Sequence, residues 1–143
     1  MFPEPLAGQV ISYAYLWHSE HQRGQEEGLK DRPCAIILVI TNENGNEIVT
    51  VLPITHTPPS NPDLAVEIPP ATKRRLGLDD ERSWVVLTEA NRFTWPGPDL
   101  RPTRRGEAAS VLYGELPGSL LVKIRDGFVA ALKKHKSIVP RSE

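Results

Sequence analysis

The sequence predicts a mainly β protein: a small antiparallel sheet, curled or closed into a barrel, with one C-terminal helix packed on it. Three observations lead there. Fourteen prolines in 143 residues cut the chain into short pieces, which favours strands over long helices. An Asn-Gly pair separates the β-branched runs "CAIILVI" and "IVTVLPI", and that dipeptide is a strong hairpin signal because a primed turn needs φ > 0 at its centre. Near the C-terminus, Leu121, Ile124, Phe128 and Leu132 recur at the spacing of one helix face.

The elements follow in order. "GQVISYAYLW" (8–17), rich in β-branched and aromatic residues, reads as a first strand. Residues 18–32, "HSEHQRGQEEGLKDR", are polar with two glycines and read as a long exposed loop. Cys34 to Ile40 is a continuous apolar run, expected to be a strand buried on both faces. "TNENGNE" is the hairpin turn and "IVTVLPI" (48–54) the returning strand, after which the prolines of "THTPPSNPD" (55–63) preclude regular structure. "LAVEI" (64–68) is a short alternating strand, and "PPATKRRLGL" (69–78) one or two helical turns opened by Pro and stopped at Gly77. "SWVVLTE" (83–89) reads as another strand, and 90–106 as a loop with a short strand near Leu100. The final helix runs from Ser119 to Lys134, and the "KKHK" cations suit the negative end of its dipole.

A chain of this length is one domain, 1–143, with room for a real core. Seventeen basic against eighteen acidic residues argue against a general nucleic-acid coat but allow a local basic site. One cysteine rules out an intrachain disulfide, and Cys34, at the start of an apolar run, reads as an inert core thiol in a reducing cytoplasm. The N-terminus carries no signal-peptide pattern, and no apolar run approaches a membrane span of ~20 residues, so a cytoplasmic protein without a membrane partner is expected.

Geometry then points to a site. Two antiparallel strands joined by a hairpin bring the first residue of one beside the last of the other. Arg32, at the entry of the first strand, therefore lies beside Thr55, His56 and Thr57 at the exit of the second. Glu89 reaches the same rim if "SWVVLTE" lies alongside in a suitable register. Guanidinium, hydroxyl, imidazole and carboxylate together suit phosphodiester chemistry, in which a base takes a ribose 2′-OH proton and the guanidinium grips the phosphate. The plainer alternatives are a snorkelling Arg32, threonines bonding local backbone, and a solvated Glu89. "HSEH" (18–21) lacks further metal-ligand spacing, no nucleotide-cradling glycine motif or nucleophile elbow occurs, and no metal or cofactor is expected. The clusters "KRR" (73–75), "RR" (104–105) and "KKHK" (133–136) read as solvated faces, and Trp95 as a core-edge residue or a base-stacking one.

The order "GQVISY", "GQEEGLKDRPCAIIL", "VTVLPIT", "SWVVLTE" and a helix after "YGELP" resembles the MazF/PemK (Kid) toxins over nearly the whole chain. The most specific parts are Gly8 at the strand start, the Gly/Glu loop running into Arg32-Pro33, and Pro53-Ile54-Thr55. The resemblance implies an SH3-like barrel with a C-terminal helix, a homodimer, and a sequence-specific, metal-independent endoribonuclease that leaves a 2′,3′-cyclic phosphate and is inhibited by a cognate antitoxin. It makes Arg32 and Thr55 catalytic and places Glu89 where some members carry a proposed base; His56, on the same rim, is the other candidate base. The long loop would help form the groove for single-stranded RNA, with Gln25, Glu27, Lys30, Thr57 and Trp95 as RNA contacts. The chain departs from the family in the "LKD" preceding Arg32, in Leu87 where one subgroup carries a second arginine, in His56 where small polar residues are common, and in its elaborated 90–106 segment. The competing reading is a non-catalytic barrel of the same shape that binds RNA or a protein.

Overall fold

The computed structural model of the protein describes residues 2–19, 30–103, 110–134 and 138–140. Five strands form the body of the sheet: β1 (Gln9–Tyr13), β2 (Arg32–Thr41), β3 (Glu47–Thr55), β4 (Ala65–Glu67) and β5 (Trp84–Val86). Three more complete it, β6 (Ala90–Thr94), β7 (Leu112–Glu115) and β8 (Ile138–Pro140). The helices are α1 (Pro70–Leu76) and α2 (Gly118–Lys134). The ladder runs β4-β5-β3-β2-β1-β7, with β6 on β3 and β8 on β6, and every pairing is antiparallel except β6 with β8.

The expected β architecture with its C-terminal helix is therefore what the chain forms, but the ladder stays open rather than closing into a hydrogen-bonded barrel. At the open side α1 meets β7: Arg75 Nη2 donates to the Glu115 carbonyl at 2.7 Å, and the Leu76 side chain fills the place a Cβ on Gly114 would take.

Period-two alternation gives the sheet two cores. Val10, Ala35, Leu52 and Ile54 face α2 and pack with Ile124 and Phe128. Their alternates Ile11, Cys34, Ile36, Val49 and Val51 face the other way, with Tyr13, Tyr15 and Phe93. Cys34 is fully buried there, as expected of a core thiol. The α2 stripe is as the spacing predicted, with Ile124 and Phe128 buried and Leu121 and Leu132 packed partly against them.

The hairpin forms, with a turn different from the expected one. Within the turn Gly45 alone takes positive φ (80°), and its N–H donates to the Asn42 carbonyl at 3.0 Å. Asn42 Oδ1 accepts from the N–H groups of Asn44 and Asn46, so an Asx-type loop replaces the two-residue primed turn.

Four other expectations are corrected. The run from Cys34 to Ile40 is not buried throughout: Leu38 and Ile40 are exposed, because β1 pairs with β2 only as far as Ala35 and the hairpin continues past a bulge between Ile36 and Leu38. "SWVVLTE" is not one strand; β5 ends at Val86. Residues 90–94, expected in a loop, form β6 against Ile48–Val51. Asn91, a poor strand former, is buried there because its amide donates to the Leu16 carbonyl (2.8 Å) and accepts from the Leu16 N–H (2.9 Å). The short strand expected near Leu100 is a single bridge to Tyr13.

Candidate active site

The β2–β3 ladder ends with Cys34 opposite Pro53, and two residues further along each strand Arg32 lies beside Thr55 at the rim, as the hairpin geometry predicted. Arg32 is half-buried. Its Nη1 donates to the Ile54 carbonyl at 3.5 Å, and its guanidinium carbon lies 4.9 Å from the centre of the Trp17 ring. Its Nε is buried with no hydrogen-bond partner among the described residues. An arginine snorkelling outward would not lay its fork on an aromatic face with Nε shielded from water; this one is held along the rim.

Thr55 stands between two cavities. One, of about 270 Å³, is lined by Lys30, Arg32, Thr55, His56 and Asp79 among others. The other, of about 340 Å³, lies between Trp17, Thr57, Pro58, Pro59, Ser60 and Thr88. The first is rich in charge; the second is an aromatic- and proline-walled groove with hydroxyls on its edge. Thr55 Oγ1 accepts the Thr57 N–H at 3.2 Å, the local turn bond weighed from the sequence, which leaves its own O–H proton free to donate into a cavity.

His56 follows, with half its side chain exposed. Its Nε2 is 2.7 Å from Asp79 Oδ2 and its Nδ1 is 3.6 Å from Glu81 Oε2. Asp79 Oδ1 accepts from Lys73 Nζ at 2.7 Å and from the Glu81 N–H at 3.1 Å, while Nζ also donates to the Glu81 carbonyl. Lys73, expected on a solvated face, is only 4% exposed, because it threads under the 78–82 turn to reach these acceptors. Its ammonium, together with the His56 contact, holds the Asp79 carboxyl below the usual carboxylate range despite an opposing desolvation effect. His56, Asp79 and Glu81 also bring three donor atoms within 4.8 Å of one another, the one such grouping among the described residues that could hold a metal ion.

Glu89 sits elsewhere. Since β5 is antiparallel to β3, its first residue Trp84 is opposite Thr55, and the chain moves away from the rim before reaching Glu89. Glu89 Oε1 accepts from the Tyr15 O–H at 3.0 Å and from the His18 N–H at 2.9 Å. A run of rings links it to Arg32: Tyr15 meets Trp17 edge-on at 5.2 Å, and Trp17 carries the guanidinium. Burial, reinforced by the Glu89 charge, pushes the Tyr15 phenol well above its usual pKa.

Of the expected RNA contacts, Lys30 lines the first cavity and Thr57 the second. Trp95 does not join them: its N–H bonds the Glu47 carbonyl at the opposite end of β3, its Nε1 donates to the Pro3 carbonyl at 3.0 Å, and its ring packs near Phe93. Gln25 and Glu27 lie outside the described residues, as do Arg104 and Arg105. Leu87, in the place of a subgroup's second arginine, is a core residue packed against Gly127. Sequence reasoning missed Trp17, Asp79 and Lys73. Trp17, an aromatic residue at the point where the first strand gives way to a polar loop, was the one with a visible signal.

A small, mostly antiparallel β protein backed by a C-terminal helix, with guanidinium, hydroxyl and imidazole grouped on one rim, defines the class. The family model of the PemK-like, MazF-like toxins of type II toxin-antitoxin systems matches residues 14–93, more than half of the chain, and the chain belongs to that family. The match begins just after β1 and runs through the rim to Phe93 in β6. Among curated proteins none matches it. No described helix is long and apolar enough to cross a membrane.

Proposed function

We propose that this protein is a metal-independent endoribonuclease toxin that cuts single-stranded RNA at preferred sequences in the cytoplasm, acts as a homodimer and is restrained by a cognate antitoxin. The observation that carries this reading is that Arg32 and Thr55, at the adjoining ends of β2 and β3, line one charged cavity, with the Arg32 Nε buried and without a hydrogen-bond partner among the described residues. Family membership supports the toxin role and the antitoxin partner.

In the proposed reaction Arg32 and the Thr55 hydroxyl hold the scissile phosphate while the neighbouring 2′-OH attacks phosphorus. The 2′-oxygen loses its proton to a base, the P–O2′ bond forms, and the P–O5′ bond breaks. The leaving 5′-oxygen takes a proton from solvent, giving a 2′,3′-cyclic phosphate and a 5′-hydroxyl. The nucleophile is part of the substrate, so alignment does much of the catalysis, and the guanidinium meets the charge that grows on the phosphoryl oxygens. His56 is preferred over Glu89 as the base: it adjoins Thr55 and lines the cavity, whereas a Glu89 oxygen already accepts two hydrogen bonds away from the rim. Trp17 and the proline-walled groove offer a stacking surface to a flanking base.

Primer extension on a long RNA incubated with purified protein in EDTA tests this directly. Discrete cuts are expected in plain RNA and none where a 2′-O-methyl group or deoxyribose replaces the attacking hydroxyl. Uncut RNA, or equal cutting of 2′-O-methyl RNA, would put the non-catalytic binding module in its place.

A further inference from the structure

We propose that Asp79 is a positioning residue for His56, fixing the imidazole with its proton on Nε2 so that Nδ1 is the nitrogen presented to the 2′-OH. The inference rests on the endoribonuclease reading and deepens it by naming the base, its working nitrogen and the residue that aims it.

Asp79 divides its two oxygens between the fold and the site. Oδ1 is anchored by the buried Lys73 ammonium and the Glu81 N–H, whereas Oδ2 is 2.7 Å from His56 Nε2. An ionised carboxylate only accepts, so Nε2 must be the donor and the neutral ring keeps its lone pair on Nδ1. The Lys73 anchor keeps Asp79 ionised. Glu81 Oε2, at 3.6 Å from Nδ1, is too distant for a hydrogen bond and its side chain is 74% exposed, so it does not tie up the Nδ1 lone pair. His56 directly follows Thr55, and both line the cavity that holds Arg32. In the step, Nδ1 takes the 2′-OH proton as the 2′-oxygen bonds to phosphorus and the P–O5′ bond breaks. Asp79 then faces an imidazolium, which its charge stabilises. Solvent protonates the leaving 5′-oxygen and later removes the proton from His56.

Asp79→Asn is the decisive variant. Its amide oxygen still accepts from Lys73, so the turn is kept, but its NH₂ now points at Nε2 and selects the tautomer protonated on Nδ1. General-base catalysis typically contributes about 10²–10⁴-fold. Asp79→Asn should therefore lower kcat by about 10²-fold or more with KM little changed, measured well below its thermal midpoint, which falls because the buried Lys73 loses a charged partner. His56→Ala should lose a similar amount, and the double variant no more than His56→Ala alone. Nitrogen-15 NMR at pH 8 should show the Nε2–H tautomer in the wild type and the Nδ1–H tautomer in Asp79→Asn.

Wild-type kcat in Asp79→Asn, additive losses in the double variant, or an Nδ1–H ring in the wild type overturns the proposal. So does wild-type activity lost in EDTA and restored by Mn²⁺, which would make His56, Asp79 and Glu81 metal ligands instead. RNA left intact by the wild type sinks the ribonuclease reading and the catalytic half of this one together, while the NMR result still decides whether Asp79 sets the ring. Full activity alongside the switched tautomer sinks this proposal alone.

Discussion

The guanidinium of Arg32 lies 4.9 Å from the ring centre of Trp17, so a cation at the first residue of β2 is held by an aromatic residue four positions beyond the end of β1. The contact orients the fork along the rim, and it requires a planar cation. Arg32→Lys keeps the charge but loses both the stacking and the bidentate grip. We expect RNA cleavage to fall by about 10²–10³-fold, the usual loss on removing one transition-state donor, with an unchanged circular dichroism spectrum. Wild-type cleavage by Arg32→Ala would remove this residue from the mechanism.

Trp17→Ala tests the platform separately from the charge. Arg32 keeps its bond to the Ile54 carbonyl, and a partly desolvated cation–π contact of about 0.5–2 kcal/mol is lost. Cleavage should fall less than in Arg32→Lys, and the pattern of cut sites should broaden as the groove loses its stacking face. An identical cleavage map would exclude the groove from recognition.

Tyr15 and Glu89 are expected to matter for stability more than for catalysis. Glu89→Gln should keep most of the cleavage rate, while the buried Tyr15 hydroxyl loses a charged partner at a cost of about 1–3 kcal/mol. The phenol pKa is raised in the folded state by burial and then by the Glu89 charge. Its contribution is therefore complete below the unfolded tyrosine value near ~10 and declines above it, by about 1.4 kcal/mol per pH unit. Urea midpoints of the wild type and Tyr15→Phe should diverge between pH 9 and 11. Parallel curves would show that Tyr15 does not stay protonated in the fold.

The Asp79 carboxyl has the opposite sign. The Lys73 ammonium leads in holding its folded pKa down, so the stabilisation is present above the unfolded aspartate value of ~3.9 and is lost as pH falls through the lower folded value. Lys73→Met should fold and lose most of that acid sensitivity. Equal acid-induced shifts in urea midpoint for both proteins would place the sensitivity elsewhere.

Phe128 joins α2 to the face of the sheet that carries Leu52 and Ile54. Phe128→Ala should cost about 3–5 kcal/mol, read as a lower urea midpoint. An unchanged midpoint would mean that the helix adds nothing to the core.

Much of this fold is local in origin and was legible for that reason. The α2 stripe, the stop of α1 at Gly77 and the β2–β3 hairpin depend on residues a few positions apart. The hairpin alone then places Arg32 beside Thr55, because antiparallel pairing leaves the two ends of a hairpin no freedom to separate. β6 was missed since Ala90 and Asn91 have poor strand propensity, and Asn91 is tolerated only because Leu16, far away in sequence, satisfies its amide.

The sequence by itself determined the residue types available for chemistry, the hairpin that joins two of them, and the family to which the chain belongs. Tertiary structure decided which of the remaining polar residues reach the rim. Glu89 is turned away by the direction of β5, Trp95 is at the far end of β3, and Asp79 arrives from the turn after α1, pinned by Lys73. The physical reason is range: strand direction and a buried lysine's choice of acceptor depend on contacts between segments far apart in the chain. No local pattern or propensity encodes those contacts.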